Sequence, residues 1–257
     1  MTILIAFYRN IFIFCYHKYS NESNLIGGTA MINECLICNA KVEYLTEDEP
    51  MTCFVCKKQE FANIRCINGH YVCNECHMDG INVIYSKLLN ETSKNPIEIL
   101  NKLMKESFCH MHGPEHHVLV GASLLTAYKN AGGDINLEES LNEMIKRGKK
   151  VPGGFCGYYG SCGAAVSTGI FISIITNSTP LATKAFSKCN MMTSKALYEV
   201  ASHGGPRCCK RDSFLSINAA IDYVSQEFDV HMEKNDIKCE YSSLNNECIK
   251  DKCPFYD

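Results

Sequence analysis

The sequence predicts a mainly α protein: a helical domain preceded by a small zinc-ribbon or RING-like double-metal module, with a cysteine-rich C-terminal tail. Three observations carry that prediction. Between Cys35 and Cys76, thiols and one imidazole fall in pairs: Cys35/Cys38, Cys53/Cys56, Cys66/His70 and Cys73/Cys76. After Ile81, apolar residues recur at helical spacing and strand-type alternation is scarce. The chain then ends on Cys239, Cys248 and Cys253-Pro254.

The paired segment sets the module at residues 31–80. Three of its pairs are Cys-x-x-Cys, a spacing that turns two thiolates back onto one ion. Together the eight groups match two tetrahedral zinc ions, each closed by four protein atoms. The segment has few large apolar residues, so metal binding would supply its folding energy. Two pairings fit the spacing. In a sequential one, Cys35, Cys38, Cys53 and Cys56 form a ribbon, and Cys66, His70, Cys73 and Cys76 a second site. In a cross-braced one, the first and third pairs share an ion, as do the second and fourth. His77 is a neighbour that could replace His70. Polar stretches such as Thr46-Glu47-Asp48-Glu49-Pro50 read as linkers. Sites closed in this way are structural or bind a partner, and do not perform catalysis.

The helical domain, residues 81–230, follows from apolar period and caps. Ile81, Ile84, Leu88 and Leu89 share one helix, and Pro96 opens another through Ile97, Leu100 and Met104. Pro114 starts a third, which runs to Gly132-Gly133. Asn136 caps Leu137 to Lys146, with Glu138 and Glu139 in the first turn. Val151-Pro152-Gly153-Gly154 is a break, and a small-residue helix begins at Gly163. Ala182 to Ala201 and Ser213 to Phe228 complete the set. Residues 231–257 form the tail.

Composition points to a reducing compartment. The 17 cysteines are odd in number and cluster in metal-type pairs, which does not suit a disulfide scaffold. A cytoplasmic location is the expectation. The formal net charge of -3 supplies no field for nucleic acid, and Lys146-Arg147-Gly148-Lys149-Lys150 reads as a solvated helix end. Ile3 to Tyr16 is apolar but contains Arg9 and is too short to span a bilayer. Residues 1–30 are expected to be an upstream extension, with translation starting at Met31; Cys15 is discounted.

Chemistry is expected at three loop-to-helix junctions. Cys109-His110-Met111-His112-Gly113-Pro114-Glu115-His116-His117 precedes one helix. A Gly-rich loop holding Cys156 and Cys162 precedes another, and His203-Gly204-Gly205-Pro206-Arg207-Cys208-Cys209 precedes the last. A helix N-terminus favours thiolate over thiol, and glycines let backbone approach an anion or cluster. Cys156, Cys162, Cys208 and Cys209 are therefore candidate thiolates. His112 and His116 are candidate ligands or proton carriers, and Arg207 could stabilise an anion. In the tail, Cys239, Cys248 and Cys253-Pro254 have the ligand habit of some iron–sulfur proteins, and zinc with a fourth ligand from elsewhere fits equally.

The order of these motifs, from Asn68-Gly69-His70-Tyr71-Val72-Cys73-Asn74-Glu75-Cys76-His77 through His112-Gly113-Pro114-Glu115-His116-His117 and Cys162-Gly163-Ala164-Ala165 to Cys253-Pro254, carries a resemblance. It resembles the uncharacterised cysteine-rich DUF5714-type domain family of methanogens and anaerobic bacteria, from Met31 onward. That family has no established activity; the resemblance implies an anaerobic, reducing setting. Its members are sometimes joined to radical-SAM or methyltransferase modules, which implies a protein partner of that redox or methyl-transfer kind. No radical-SAM cysteine triplet or Rossmann glycine fingerprint is present.

The functional expectation is a metalloprotein with two zinc ions and a thiol-redox, sulfur-handling or iron–sulfur site in its helical domain. Two alternatives stand beside it: a non-enzymatic zinc-dependent module that binds protein or RNA, and an enzyme acting on a small anionic substrate.

Overall fold

Strand β1 (Val42–Thr52) and strand β2 (Gln59–Cys66) form a two-stranded antiparallel hairpin in the computed structural model. The structure describes residues 35–38, 40–78 and 80–257, so the expectations for residues 1–30, Cys15 and Met31 lie outside them. The hairpin runs through stretches that the sequence reading left as linkers. Val42 pairs with Cys66 and Tyr44 with Ile64, then pairing resumes at Glu49 with Ala62. The polar residues of 45–48 bulge out of the ladder, which hid the strand's period.

This hairpin dictates where the cysteine pairs meet. Cys53 and Cys56 form its turn, where Lys57 N–H donates to Cys53 O at 3.0 Å. Cys35 and Cys38 enter at the opposite end, next to Cys66 and His70, which leave β2. The chain then returns toward the turn: Cys53 bridges Tyr71, and Phe54 N–H donates to Tyr71 O at 2.8 Å. That return carries Cys73 and Cys76 to the second pair. Met51, Cys53, Tyr71 and Cys73 make a small separate core.

Nine α-helices follow among the described residues. Short α1 (Asn74–His77) leads to α2 (Ile81–Leu89), α3 (Pro96–Met104), α4 (His116–Asn130) and α5 (Leu137–Gly148). A one-turn α6 (Phe155–Tyr158) lies in the Gly-rich loop, before α7 (Gly163–Ile175), α8 (Lys184–His203) and α9 (Cys209–Phe228). Helix α4 is the centre: His116 to Tyr128 are all buried, so it has no solvent face. Helices α3, α5, α7 and α9 surround it, and α8 lies outermost on α7 and α9. Close approach to α5 and α7 needs Gly121, where a Cβ would come within 2.2 Å of Met144 Sδ.

Helix starts show where local signals prevailed and where they did not. Asn136 caps α5 as expected, accepting from Glu139 N–H at 3.3 Å. Pro114 sits in a turn just ahead of α4 rather than at its first position. The last helix begins a turn earlier than Ser213, with the Cys208 sulfur accepting Arg211 N–H as its cap. At α3, fully buried Asn95 accepts from Ile97 N–H at 2.9 Å and Glu98 N–H at 3.4 Å. Asn95→Ala is expected to cost about 1–2 kcal/mol through the lost cap, read from the urea midpoint.

The tail wraps over the start of α9. Cys239 N–H donates to Phe255 O at 2.8 Å, and the Phe255 ring meets Phe214 edge-on at 5.5 Å. Its only regular pieces are one-turn 3-10 helices at Ser242–Leu244 and Lys250–Lys252. No helix among the described residues is long and apolar enough to cross a membrane.

Candidate metal and thiol sites

The module ligands gather in the cross-braced arrangement. Cys35, Cys38, Cys66 and His70 form one group and Cys53, Cys56, Cys73 and Cys76 the other, with the ligand atoms of each within 4.8 Å of one another. Cys38 and Cys66 sulfurs are 3.9 Å apart, Cys56 and Cys73 sulfurs 3.7 Å. A tetrahedral ion with metal–sulfur bonds of about 2.3 Å sets sulfurs about 3.8 Å apart, so both groups fit one ion each. His70, not His77, completes the first group, through Nδ1 at 3.2 Å from Cys38 Sγ.

Backbone donors complete these knuckles. Ile37 N–H reaches Cys35 Sγ at 3.4 Å, His70 N–H reaches Cys66 Sγ at 3.2 Å and Cys73 N–H reaches Cys53 Sγ at 3.4 Å. The Asn68 amide on Cys38 pulls that thiol down to about 6. The tight turn at Gly69, with φ +81°, makes room for the third pair.

The junction residues divide between two places, and the division runs through the vicinal pair. Cys209 faces Arg207, Asp212 and Cys162, and its N–H points at His112 Nδ1 at 3.5 Å. Arg207 lies over the Tyr44 ring at 4.9 Å and feels Cys209, Glu247 and Cys156. His112 Nε2 meets Glu247 Oε2 at 3.3 Å. Cys156, Cys162, Cys209, His112 and Arg207 thus share one neighbourhood facing the module. Burial pushes Cys162 up to about 12 and raises Cys209 further. Burial, then Arg207, holds His112 down at about 3.

Cys208 turns the other way. It lines a cavity with Cys239, Cys248 and Cys253, joined by Arg211 and Phe255. Three of these sulfurs accept backbone N–H groups: Cys239 from Tyr241 at 3.4 Å, Cys248 from Lys250 at 3.4 Å and Cys208 from Arg211 at 3.5 Å. This repeats the donor pattern of the module knuckles. The four sulfurs are not, however, among the groups whose ligand atoms lie within 4.8 Å of one another.

A family model described as a family of unknown function (DUF5714) matches residues 84–256. The chain belongs to this family. No curated protein and no solved structure matches it. The DUF5714 match takes in the helical part and the tail and begins after the eight module ligands, later than the Met31 start of the sequence-based resemblance.

Within the DUF5714 span, His116 joins neither place. Its Nδ1 bonds Gly113 O at 3.0 Å, and Nε2 faces Cys109 Sγ at 3.8 Å. Fully buried Lys210 donates to Cys109 Sγ at 3.2 Å and lies 4.9 Å from the Tyr241 ring centre. His117 bonds Val151 O at 2.9 Å, a core histidine satisfied by backbone. Its ring packs against Gly163, where a Cβ would come within 2.2 Å.

The sequence reading passed over Lys210 and gave Glu115 no role. Lys210 lies among the polar residues that open α9, and only packing reveals its burial. Glu115 is fully buried too, in a run of histidines that drew notice to themselves.

Proposed function

We propose that this protein is a cytoplasmic electron-transfer metalloprotein, in which two zinc ions hold the module and Cys208, Cys239, Cys248 and Cys253 hold an iron–sulfur cluster. The observation that carries this reading is the cavity lined by those four cysteines, three of whose sulfurs accept N–H groups, and which stand wider than single-ion spacing. Four cysteines are the usual ligand set of such clusters, and N–H donors to sulfur tune their potential. When bound, a cluster would supply one-electron storage; the chain would supply ligands and N–H donors. The cavity itself is about 20 Å³, so loading would require an outward shift of the tail, which only one-turn helices stiffen.

Thiol redox or sulfur handling at Cys156, Cys162 and Cys209 has less support. Burial keeps Cys162 and Cys209 protonated, where a nucleophilic thiol needs the opposite.

A partner protein would receive the electron, in keeping with a redox, radical-SAM or methyltransferase enzyme. Phe54, Phe61 and Ile67 are exposed on the module, and large exposed apolar side chains favour protein over nucleic acid as the partner. The same residues support the second reading, a non-enzymatic binding module.

Anaerobic reconstitution with iron and sulfide tests the choice. Wild type is expected to take up about four iron and four labile sulfide. Cys208→Ser is expected to lose them, and Cys209→Ser to keep them. Zinc alone in reconstituted wild type, or equal iron loss in both variants, would overturn the cluster and leave the binding module.

A further inference from the structure

We propose that His77, His110 and Glu115 form a third metal site, an open two-histidine, one-carboxylate centre for a divalent transition-metal ion. Its free position faces a cavity that has room for a small oxyanion. This does not rest on the iron–sulfur reading, because none of its ligands belongs to the tail cavity.

The first observation is convergence. One ligand atom from each of the three residues lies within 4.8 Å of the other two. His77 Nδ1 is 3.2 Å from Glu115 Oε2, and His110 Nδ1 is 3.7 Å from Glu115 Oε1. The His77 and His110 rings meet edge-on with centroids 4.9 Å apart.

The second observation is that these atoms are unsatisfied. His77 Nδ1, His110 Nδ1 and Glu115 Oε2 are all buried without a well-aligned hydrogen bond among the described residues, and the 3.2 Å ion-pair contact of His77 with Oε2 leaves His110 Nδ1 outside it. Buried polar atoms are rarely left so, since each lost partner costs roughly 1–3 kcal/mol. Three such atoms turned toward one point are what a shared cation would satisfy. A plain His77–Glu115 ion pair would give no reason for His110 to turn in as well.

The carboxylate is held for the task. Glu115 Oε1 accepts His110 N–H at 2.8 Å, which leaves Oε2 for His77 or for a cation the two would share. Gly113 admits it, because a Cβ there would lie 2.1 Å from Oε2. The neighbouring group of Cys109, Glu115 and His116 is a weaker candidate. Lys210 already occupies Cys109, and Gly113 O already holds His116 Nδ1.

The third observation is the space in front. A cavity of about 110 Å³ lies between the module and the helical domain, lined by His77, His110, His112 and Arg207. Both imidazoles line the cavity and fully buried Glu115 does not, so an ion they share would have its open side toward the cavity. Two histidines, one carboxylate and an open position are the pattern of a catalytic rather than a structural site. At about 10–15 Å³ of such space per water, the cavity holds several waters, or one small oxyanion with water beside it. Arg65 also lines it, but Glu43 and Glu49 neutralise that charge. Arg207 has no carboxylate within ion-pair distance among the described residues and is braced by the Tyr44 ring. It is the cation available to an anion on the metal.

The test uses the full chain with its cysteine sites loaded with zinc. Cobalt(II) titrated into this protein should enter about one further site. Its visible d–d absorption should appear without a thiolate-to-cobalt charge-transfer band. His110→Ala should lose that equivalent while keeping the module zinc and the wild-type urea midpoint. If His110→Ala misfolds, Glu115→Gln, which keeps the side-chain volume, should show the same loss. Inorganic phosphate should shift the cobalt spectrum of wild type, and Arg207→Ala should keep the metal but lose the shift. No thiolate-free cobalt site in wild type, or equal uptake in the ligand variants, would overturn the metal site. An unmoved spectrum with phosphate would overturn the oxyanion position.

Discussion

Cys53→Ala is expected to release both module ions rather than one. Cys53 is fully buried, belongs to the four-cysteine group at the turn end, accepts Cys73 N–H and bridges Tyr71. The segment that returns from β2 to this site is the one that also bears Cys66 and His70 of the other. Loss of the turn-end ion therefore frees the strand pair that positions the first. A structural zinc ion in such a site would contribute roughly 10–16 kcal/mol of apparent binding energy, and in this module that would be folding energy. The small core of Met51, Cys53, Tyr71 and Cys73 cannot replace it. Native mass spectrometry should show wild type with two more zinc ions than the variant, and Cys35, Cys38 and Cys66 should become open to alkylation. Retention of one ion with those three thiols protected would show the sites to be independent.

Glu115→Ala is expected to cost about 3–5 kcal/mol, the range for breaking a buried charged pair from one side. Burial alone would raise this carboxyl, yet His77 and its neighbours hold it well below the usual carboxylate range, so it is ionised in the fold. Removing it strands His77 and His110 and leaves His110 N–H without its acceptor. Urea denaturation should show a reduced midpoint, with Glu115→Gln, which retains an acceptor oxygen, intermediate. A midpoint within about 0.5 kcal/mol of wild type, the span of ordinary surface changes, would show the pair to contribute little.

Much of the fold was legible in the residues. Asn136, Pro96 and the apolar period after Ile81 mark helices by local chemistry, and local chemistry is what a sequence displays. The hairpin was not legible. Its first strand interrupts its own alternation with the bulge at 45–48, so Thr46 to Pro50 read as polar linker. The candidate sites divide the same way. Cys-x-x-Cys spacing marks the module ligands, because both thiols of a pair lie on one turn. Glu115 and Lys210 give no such sign, since His77 and Cys109, which meet them across the fold, lie far along the chain.

The eight thiol and imidazole groups suited to hold metal, the helical character of residues 81–230 and the three-cysteine tail follow from residue type and spacing alone. Which pairs share an ion does not, because that depends on the hairpin laying the first pair beside the third. Nor does the parting of Cys208 from Cys209: one caps α9 toward the tail, while the other, one residue on, faces Arg207. Spacing reports what one turn of backbone can bring together. The meeting of His77 with His110 and Glu115 needs two separately built parts packed face to face, and only packing places them.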